Sequence, residues 1–386
     1  ARMNSMVSGV AALVGVGLAI SLPVAWLLIR AGHKLGALDS AGAAGHAKVL
    51  RRVPNIGGIA IFWAVALPMT AGLLALQLVS EETIGKVLPS AVEHLGRMRS
   101  SAGTAWAMLA CMTVLHVMGL VDDRRSLGPG VKLLVQVGAA AAMAVWFKVR
   151  LLTMVDAHLG MGQMPSIVIT IAWIVVITNA VNFLDNMDGL AGGVSAIAGS
   201  LFMAATIVNA QWFIAGTLAL MVGGLIGFLV FNFPPAKIFM GDGGSLVVGF
   251  LLAILTARTT FYDAGNPNYA LGTGWYGVFM PVVVLAVPLY DFVTVTTLRL
   301  RQGKSPMVGD QQHFSHRLVQ RGLSKRGAVM VIWGATLVTG IGGISLGSLK
   351  PWQAALVGVQ TLAVIGVIGL LEHASRRASA HRAESE

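Results

Sequence analysis

Asp122 and Asp123 stand side by side in Gly-Leu-Val-Asp-Asp-Arg-Arg, directly after an apolar run. Two adjacent carboxylates at the end of a membrane helix repel each other unless a cation, a proton or nearby arginines neutralise them. Taken alone, a solvated helix end balanced by Arg124 and Arg125 accounts for the pair equally well. A second polar group follows in Asn179-Ala-Val-Asn-Phe-Leu-Asp-Asn-Met-Asp-Gly. If the apolar run before it continues as helix, Asn179, Asn182 and Asn186 recur at helical spacing, with Asp185 near the same face. Asp188-Gly189 then reads as a turn. Amides and carboxylates gathered at a membrane boundary suit a hard cation or a polar ligand. A plain cap and turn needs fewer polar side chains.

The third motif is Phe231-Asn-Phe-Pro-Pro-Ala-Lys-Ile-Phe-Met-Gly-Asp-Gly-Gly-Ser. Two prolines break the helix, and Gly241, Gly243 and Gly244 around Asp242 let backbone approach a ligand closely. Free amides ahead of a helix start make a natural phosphate cradle. Phe239 is placed to stack on a planar ring. A re-entrant turn would explain the glycines and prolines but not Asp242. The fourth motif runs from Asp310 to Arg326 and holds His313, His316, Arg317, Arg321 and Lys325. On a helix the two histidines share a face. Cations in this number suit a diphosphate. A zinc pair lacks further soft ligands. A basic loop resting on anionic lipid explains the charge but neither Asp310 nor the histidines. Together the four motifs offer aspartates for a divalent cation, a glycine turn and a basic loop. That set points to phosphoryl transfer onto a lipid acceptor.

The elements that must position these residues are membrane helices. Of 386 residues, 56% are hydrophobic and 11% charged, with a mean hydropathy of +0.77. A soluble domain carries roughly 25% charged residues, so a soluble fold is excluded. The predicted fold is all-α, a polytopic integral membrane protein of about eleven helices in a single domain over 1–386. Its spans are 8–29, 56–79, 103–121, 131–147, 166–182, 190–209, 212–231, 244–258, 275–298, 328–346 and 352–371. The first is expected to be a retained span rather than a cleaved signal peptide. The polar segment 372–386 is expected to form a frayed cytoplasmic tail.

Most of the 27 Lys and Arg fall in loops after odd-numbered spans. That bias places the amino terminus outside and the carboxyl terminus in the cytoplasm. Gly45 and Lys304 are then cytoplasmic and Glu93 lies on the far side. The formal charge of +11 is read as loop orientation against an anionic leaflet, not as nucleic-acid binding. The single cysteine, Cys111, excludes an internal disulfide and is read as a small core residue. The polar motifs all belong to the predicted cytoplasmic side.

With these motifs, from Pro54-Asn-Ile-Gly-Gly58 to the basic loop, the chain resembles the polyprenyl-phosphate N-acetylhexosamine-1-phosphate transferases. The phospho-N-acetylmuramoyl-pentapeptide translocases belong to the same superfamily. The resemblance implies an enzyme of ten or eleven helices, dependent on Mg2+ with Mn2+ as a substitute, in the bacterial cytoplasmic membrane. It would move a sugar-1-phosphate from a UDP-sugar to a polyprenyl phosphate at the cytoplasmic face and release UMP. The partners implied are the two substrates and the bilayer, with a homodimer left open.

By the same resemblance, Asp122 and Asp123 match the aspartate pair that activates or positions the lipid phosphate. Asn182, Asp185 and Asp188 match a segment implicated in nucleotide binding and catalysis. Asp242, with Asp185, matches the metal-binding aspartates, and Phe239 the aromatic near uracil. His313 and His316 match the histidine loop that handles the diphosphate, beside Arg317 and Arg321. Asn232 is placed with the substrate-binding residues. The segment after His316 resembles the branch that starts envelope polysaccharides, which makes UDP-N-acetylglucosamine the expected donor.

Two positions depart from the family pattern. Asn186 stands where relatives often have Gly. Ser315 stands where the hexosamine branch has a histidine, and helical geometry predicts that it points away from the histidine face. Two other classes compete. A secondary transporter would place charges near mid-membrane, as Asp291 inside the ninth span suggests. A non-catalytic lipid-binding scaffold would explain the missing histidine.

Overall fold

In the computed structural model, residues 2–35, 53–87, 89–304 and 313–383 are described. Gly45 and Asp310 lie outside these residues. The described chain is all-helical and forms a polytopic membrane protein. Its helices are α1 (Arg2–Leu35), α2 (Gly58–Leu78), α3 (Glu81–Val87), α4 (Leu95–Asp122), α5 (Pro129–Ala141), α6 (Met154–Leu159), α7 (Met164–Leu184) and α8 (Leu190–Val208). They continue with α9 (Trp212–Asn232), α10 (Asp242–Arg258), α11 (Met280–Val284), α12 (Ala286–Arg301), α13 (Phe314–Gln320), α14 (Lys325–Ile344) and α15 (Pro351–Ala383).

Among the described residues, nine helices are long and apolar enough to cross a membrane, and a bent pair would make ten. The sequence-derived span at 244–258 corresponds to α10, which has 17 residues and a length of about 26 Å at 1.5 Å per residue. It is the innermost helix: every residue from Gly243 to Ala257 is buried, and α7, α4 and α2 pack around it. Protein, not lipid, satisfies its surroundings, so its shortness carries little mismatch.

Two expectations change. The span at 275–298 is not one helix. A short 3-10 turn (Trp275–Phe279) and α11 meet α12 at a bend of 68°. Pro288, in the first turn of α12, has no N–H and its ring clashes with the carbonyl four residues earlier, so α11 cannot run on through Leu285. The carboxyl-terminal segment is not a loose tail, since α15 stays helical to Ala383.

Chain direction brings the motifs together. α4, α7, α9 and α12 end, and α5, α8, α10 and α14 begin, at one end of the bundle. α1 also ends there, with Gly32 against Pro54. Pro54 is stitched to the third motif, where Phe239 N donates to Pro54 O and Gly57 N to Phe239 O, both at 2.8–2.9 Å. Gly58 and Gly119 let α2 and α4 close on the start of α10. A Cβ on either would overlap the backbone of Gly243 or Gly244.

Candidate active site

The amino terminus of α10 is the hub. Gly241 adopts φ +69°, a left-handed turn that suits glycine, and the helix begins at Asp242. Free amides here would hold an anion, and the sequence pointed to a phosphate. The structure supplies a protein carboxylate instead. Asp123, just past the end of α4, accepts from Asp242 N at 3.0 Å and Gly243 N at 3.2 Å. It also accepts from Asn55 Nδ2 at 3.0 Å. Asp123 therefore caps α10 from another helix, which the local sequence could not reveal. Burial first, then the charge of Asp242, pushes its carboxyl up to about 7, against the lowering pull of the two amides.

Asp122 faces a different partner. Its carboxylate accepts from Leu127 N at 2.6 Å and from Lys132 Nζ at 2.8 Å. The same ammonium reaches Asp242 Oδ2 at 3.1 Å. Arg124 and Arg125, the counter-ions expected for a solvated helix end, are exposed. Lys132 is a residue the sequence reading missed. Its signal was an ammonium in the first turn of an otherwise apolar span, which needs a buried partner.

Asn182, in the last turn of α7, donates to Asp242 Oδ1 at 2.9 Å and to Ser245 Oγ at 2.8 Å. The predicted helical face stops there. α7 ends at Leu184, Asp185 is its C-cap, and Asn186 lies beyond the helix with Nδ2 donating to Phe183 O at 2.7 Å. That bond satisfies a carbonyl the helix end leaves open. Asn179 instead pairs with Gln136 of α5, Nδ2 to Oε1 at 2.5 Å. Asp188 accepts from Ala236 N at 3.0 Å. Asn232 accepts from Gly189 N at 2.9 Å and donates to Ile238 O at 2.8 Å. Asp188 and Asn232 thus tie the loop after α7 to the proline loop after α9, while the backbone of Phe239 ties that loop to Pro54.

His116 was also missed, because a lone histidine in an apolar run reads as core. Its Nδ1 is 2.6 Å from Gly243 O, and its ring stacks on Phe62 with centroids 4.2 Å apart.

The histidine loop forms the opposite wall. His313 is the N-cap of α13, buried, with Nδ1 2.7 Å from Asp291 Oδ2. Asp291 is fully buried and also accepts from Phe314 N at 3.2 Å. The carboxylate that favoured a transporter is therefore the partner that fixes a histidine ring, and it lies at the site end of the bundle. His316 stands 6.5 Å from His313 between ring centroids. Burial, then the neighbouring His313, lowers its pKa. Ser315 has a partner of its own: its Oγ donates to Asn186 Oδ1 at 2.5 Å. Nε and Nη2 of Arg321 are buried without an acceptor among the described residues, which suits an anion. Arg326 Nε donates to Pro234 O at 2.7 Å.

Whether the cluster suits a divalent cation can be judged from its charge. Asp122 and Asp242 share one ammonium, and Asp123 lies beside them on the backbone at the start of α10. Excess negative charge in a partly buried site favours a cation. Among the described residues no group of three or more Asp, Glu, His or Cys could by itself hold a metal ion. Mg2+ is commonly held by one or two carboxylates with waters and substrate phosphates, so the donor set fits that ion rather than zinc.

A profile of the family described as Glycosyl transferase family 4 matches residues 105–260, the stretch from α4 through α10. The chain is 31% identical over 350 residues to a probable undecaprenyl-phosphate N-acetylglucosaminyl 1-phosphate transferase of Bacillus subtilis strain 168, covering 89% of this chain and 86% of that one. It is 30% identical to a decaprenyl-phosphate N-acetylglucosaminephosphotransferase of Mycolicibacterium smegmatis, covering 82% and 78%. An undecaprenyl-phosphate alpha-N-acetylglucosaminyl 1-phosphate transferase of Escherichia coli K12 is 28% identical over 61% of this chain and 64% of its own length.

Proposed function

Because the chain belongs to glycosyl transferase family 4 and to its polyprenyl-phosphate N-acetylglucosamine-1-phosphate transferases, we propose that it moves GlcNAc-1-phosphate from UDP-GlcNAc to a polyprenyl phosphate and releases UMP. The observation that supports this reading is the carboxylate cluster at the start of α10, with Asp122 and Asp242 sharing Lys132 and Asp123 on the backbone of Asp242, joined to the histidine helix α13 through Asn186 and Ser315. The product would enter an envelope polysaccharide.

Direct displacement suits the geometry. An oxygen of the lipid phosphate attacks the sugar-linked phosphorus, the bond from that phosphorus to the bridging oxygen breaks, and UMP leaves with that oxygen. Both oxygens of Asp123 already accept hydrogen bonds. That engagement argues against an aspartyl-phosphate intermediate on Asp123. Asp123 serves as the brace that aims Asp242. Asp242, with Asp185, would hold Mg2+, and the ion would supply positive charge for the diphosphate. Lys132 and Arg321 add fixed positive charge. Asp291 holds the His313 ring so that its Nε2 is free for a phosphate oxygen.

The prenyl chain has a place to lie. An apolar groove of about 680 Å³ runs between the bent span and α15, lined by Phe279, Val282, Leu289, Tyr290, Ala354 and Ile365. Tyr290 adjoins Asp291 and meets the Phe314 ring at 6.1 Å, so the groove reaches the histidine wall.

The site end of the bundle would face the cytoplasm of a bacterial inner membrane, with the amino terminus outside, as the Lys and Arg distribution suggests. A cysteine at Lys304 should then resist an impermeant reagent added to intact cells. Labelling from outside would reverse the orientation.

The function is tested with purified protein, radiolabelled UDP-GlcNAc, polyprenyl phosphate and Mg2+. Label entering the organic phase with equimolar UMP supports transfer. Label that stays aqueous in both presence and absence of the lipid would overturn it.

A further inference from the structure

We propose that Asn186 and Ser315 form a latch that positions His316 against the carboxylate side of the site, the two residues acting as one unit during turnover. The inference rests on the transferase reading above and concerns positioning, not contact with substrate.

Ser315 is fully buried in α13. Its hydroxyl donates to Asn186 Oδ1 at 2.5 Å. The orientation of that amide is set from its other end, because Nδ2 donates to Phe183 O at 2.7 Å. The Asn186 backbone also lies by the His316 ring, where it favours the protonated form. Asn186 therefore holds Ser315 directly and adjoins the residue after it.

α13 needs such anchors. It has seven residues, and a helix that short does not hold itself in place. Asp291 pins its start through His313 and Phe314. Asn186 pins the same first turn from another side, through Ser315. Asn186 directly follows Asp185 and lies four residues beyond Asn182, which bonds Asp242. The latch thus joins the histidine wall to the carboxylate wall over a few bonds.

A glycine at 186 would have no side chain to meet Ser315, and a histidine at 315 would need the volume the Asn186 amide fills.

The test uses the full-length enzyme with radiolabelled UDP-GlcNAc, polyprenyl phosphate and Mg2+. Wild-type transfer is read first, since its absence would remove the transferase reading and not the latch. Ser315→Ala is expected to lower kcat about tenfold, the range of one buried hydrogen bond, with KM for polyprenyl phosphate and the melting temperature nearly unchanged. Asn186→Ala should fall at least as far, because it also frees the Phe183 carbonyl. The double variant should be no worse than Asn186→Ala. Ser315→His should fall about a hundredfold, and adding Asn186→Gly should restore most of that loss.

Independent of activity, amide exchange across 314–320 should quicken in Ser315→Ala while that of α10 does not. Wild-type kcat in Ser315→Ala, losses that multiply in the double variant, or unchanged exchange would each overturn the latch. A kcat loss that merely follows lost thermal stability would do the same. If Ser315→His fails to fold, the alanine pair and the exchange data decide alone.

Discussion

The two walls of the site are built on different terms. On the α10 side, Asp122, Asp123, Lys132, Asn182 and Asp242 sit at the ends of long packed helices and bond one another through side chain and backbone. On the α13 side, a seven-residue helix hangs from Asp291 and Asn186, and Arg321 keeps buried donors without an acceptor among the described residues. The first wall is rigid and already neutralises itself in part. The second is held by few bonds and offers unspent cations. A site that must take in a charged diphosphate and release a charged nucleotide gains from having one fixed wall and one adjustable wall.

The sharpest way to break this comparison is at the rigid wall. Asp242→Asn should lower turnover at least about a thousandfold, or roughly 4 kcal/mol at 1.36 kcal/mol per tenfold, while the protein still folds. Chelation of Mg2+ should do the same to the wild type. Transfer assays at saturating Mg2+ decide, and wild-type-like turnover in the variant would take Asp242 out of the site.

Lys132→Ala comes next, with a loss of about a hundredfold, because two carboxylates lose their shared ammonium. Raising Mg2+ should recover part of it if the ion and the ammonium serve the same charges. Equal loss at every Mg2+ concentration would separate them.

At the adjustable wall smaller effects are expected. Asp291→Asn should cost about ten- to a hundredfold and His313→Ala a similar amount, with the double variant no worse than the more damaged single. Independent losses would mean that Asp291 acts elsewhere, and the transporter reading of that residue would regain ground.

The smallest effect is one of pH on stability. The carboxyl of Asp123 titrates near 7 in the fold against about 3.9 in an unfolded chain. The folded state therefore holds this proton more tightly. Its contribution to stability is fully present below about pH 4 and is lost as pH rises through 7. Metal-free protein should melt lower at pH 8 than at pH 6, and Asp123→Asn should flatten that slope. A slope unchanged by the substitution would place the titration on another group.

The sequence by itself determined the fold class and the helix ends where the polar motifs lie. Nine of its eleven apolar segments are helices long and apolar enough to cross a membrane, the bent span would make a tenth, and the segment at 244–258 is the shorter buried helix α10, because burying a backbone in lipid requires helices of about that length. Asp242, Asn182 and the histidines stood out because polar side chains at membrane boundaries are costly without a purpose.

What the sequence could not give was who meets whom. Asp123 as the cap of α10, Lys132 between two aspartates, Asp291 behind His313 and Ser315 against Asn186 join residues 10 to 129 positions apart. The stop of α7 at Leu184 and the 68° bend before α12 were equally hidden. Local periodicity reports which face a residue takes on its own helix. Which partner waits there is decided only when the helices pack, since a carboxylate or amide is satisfied by whatever donor the tertiary fold brings within 3 Å.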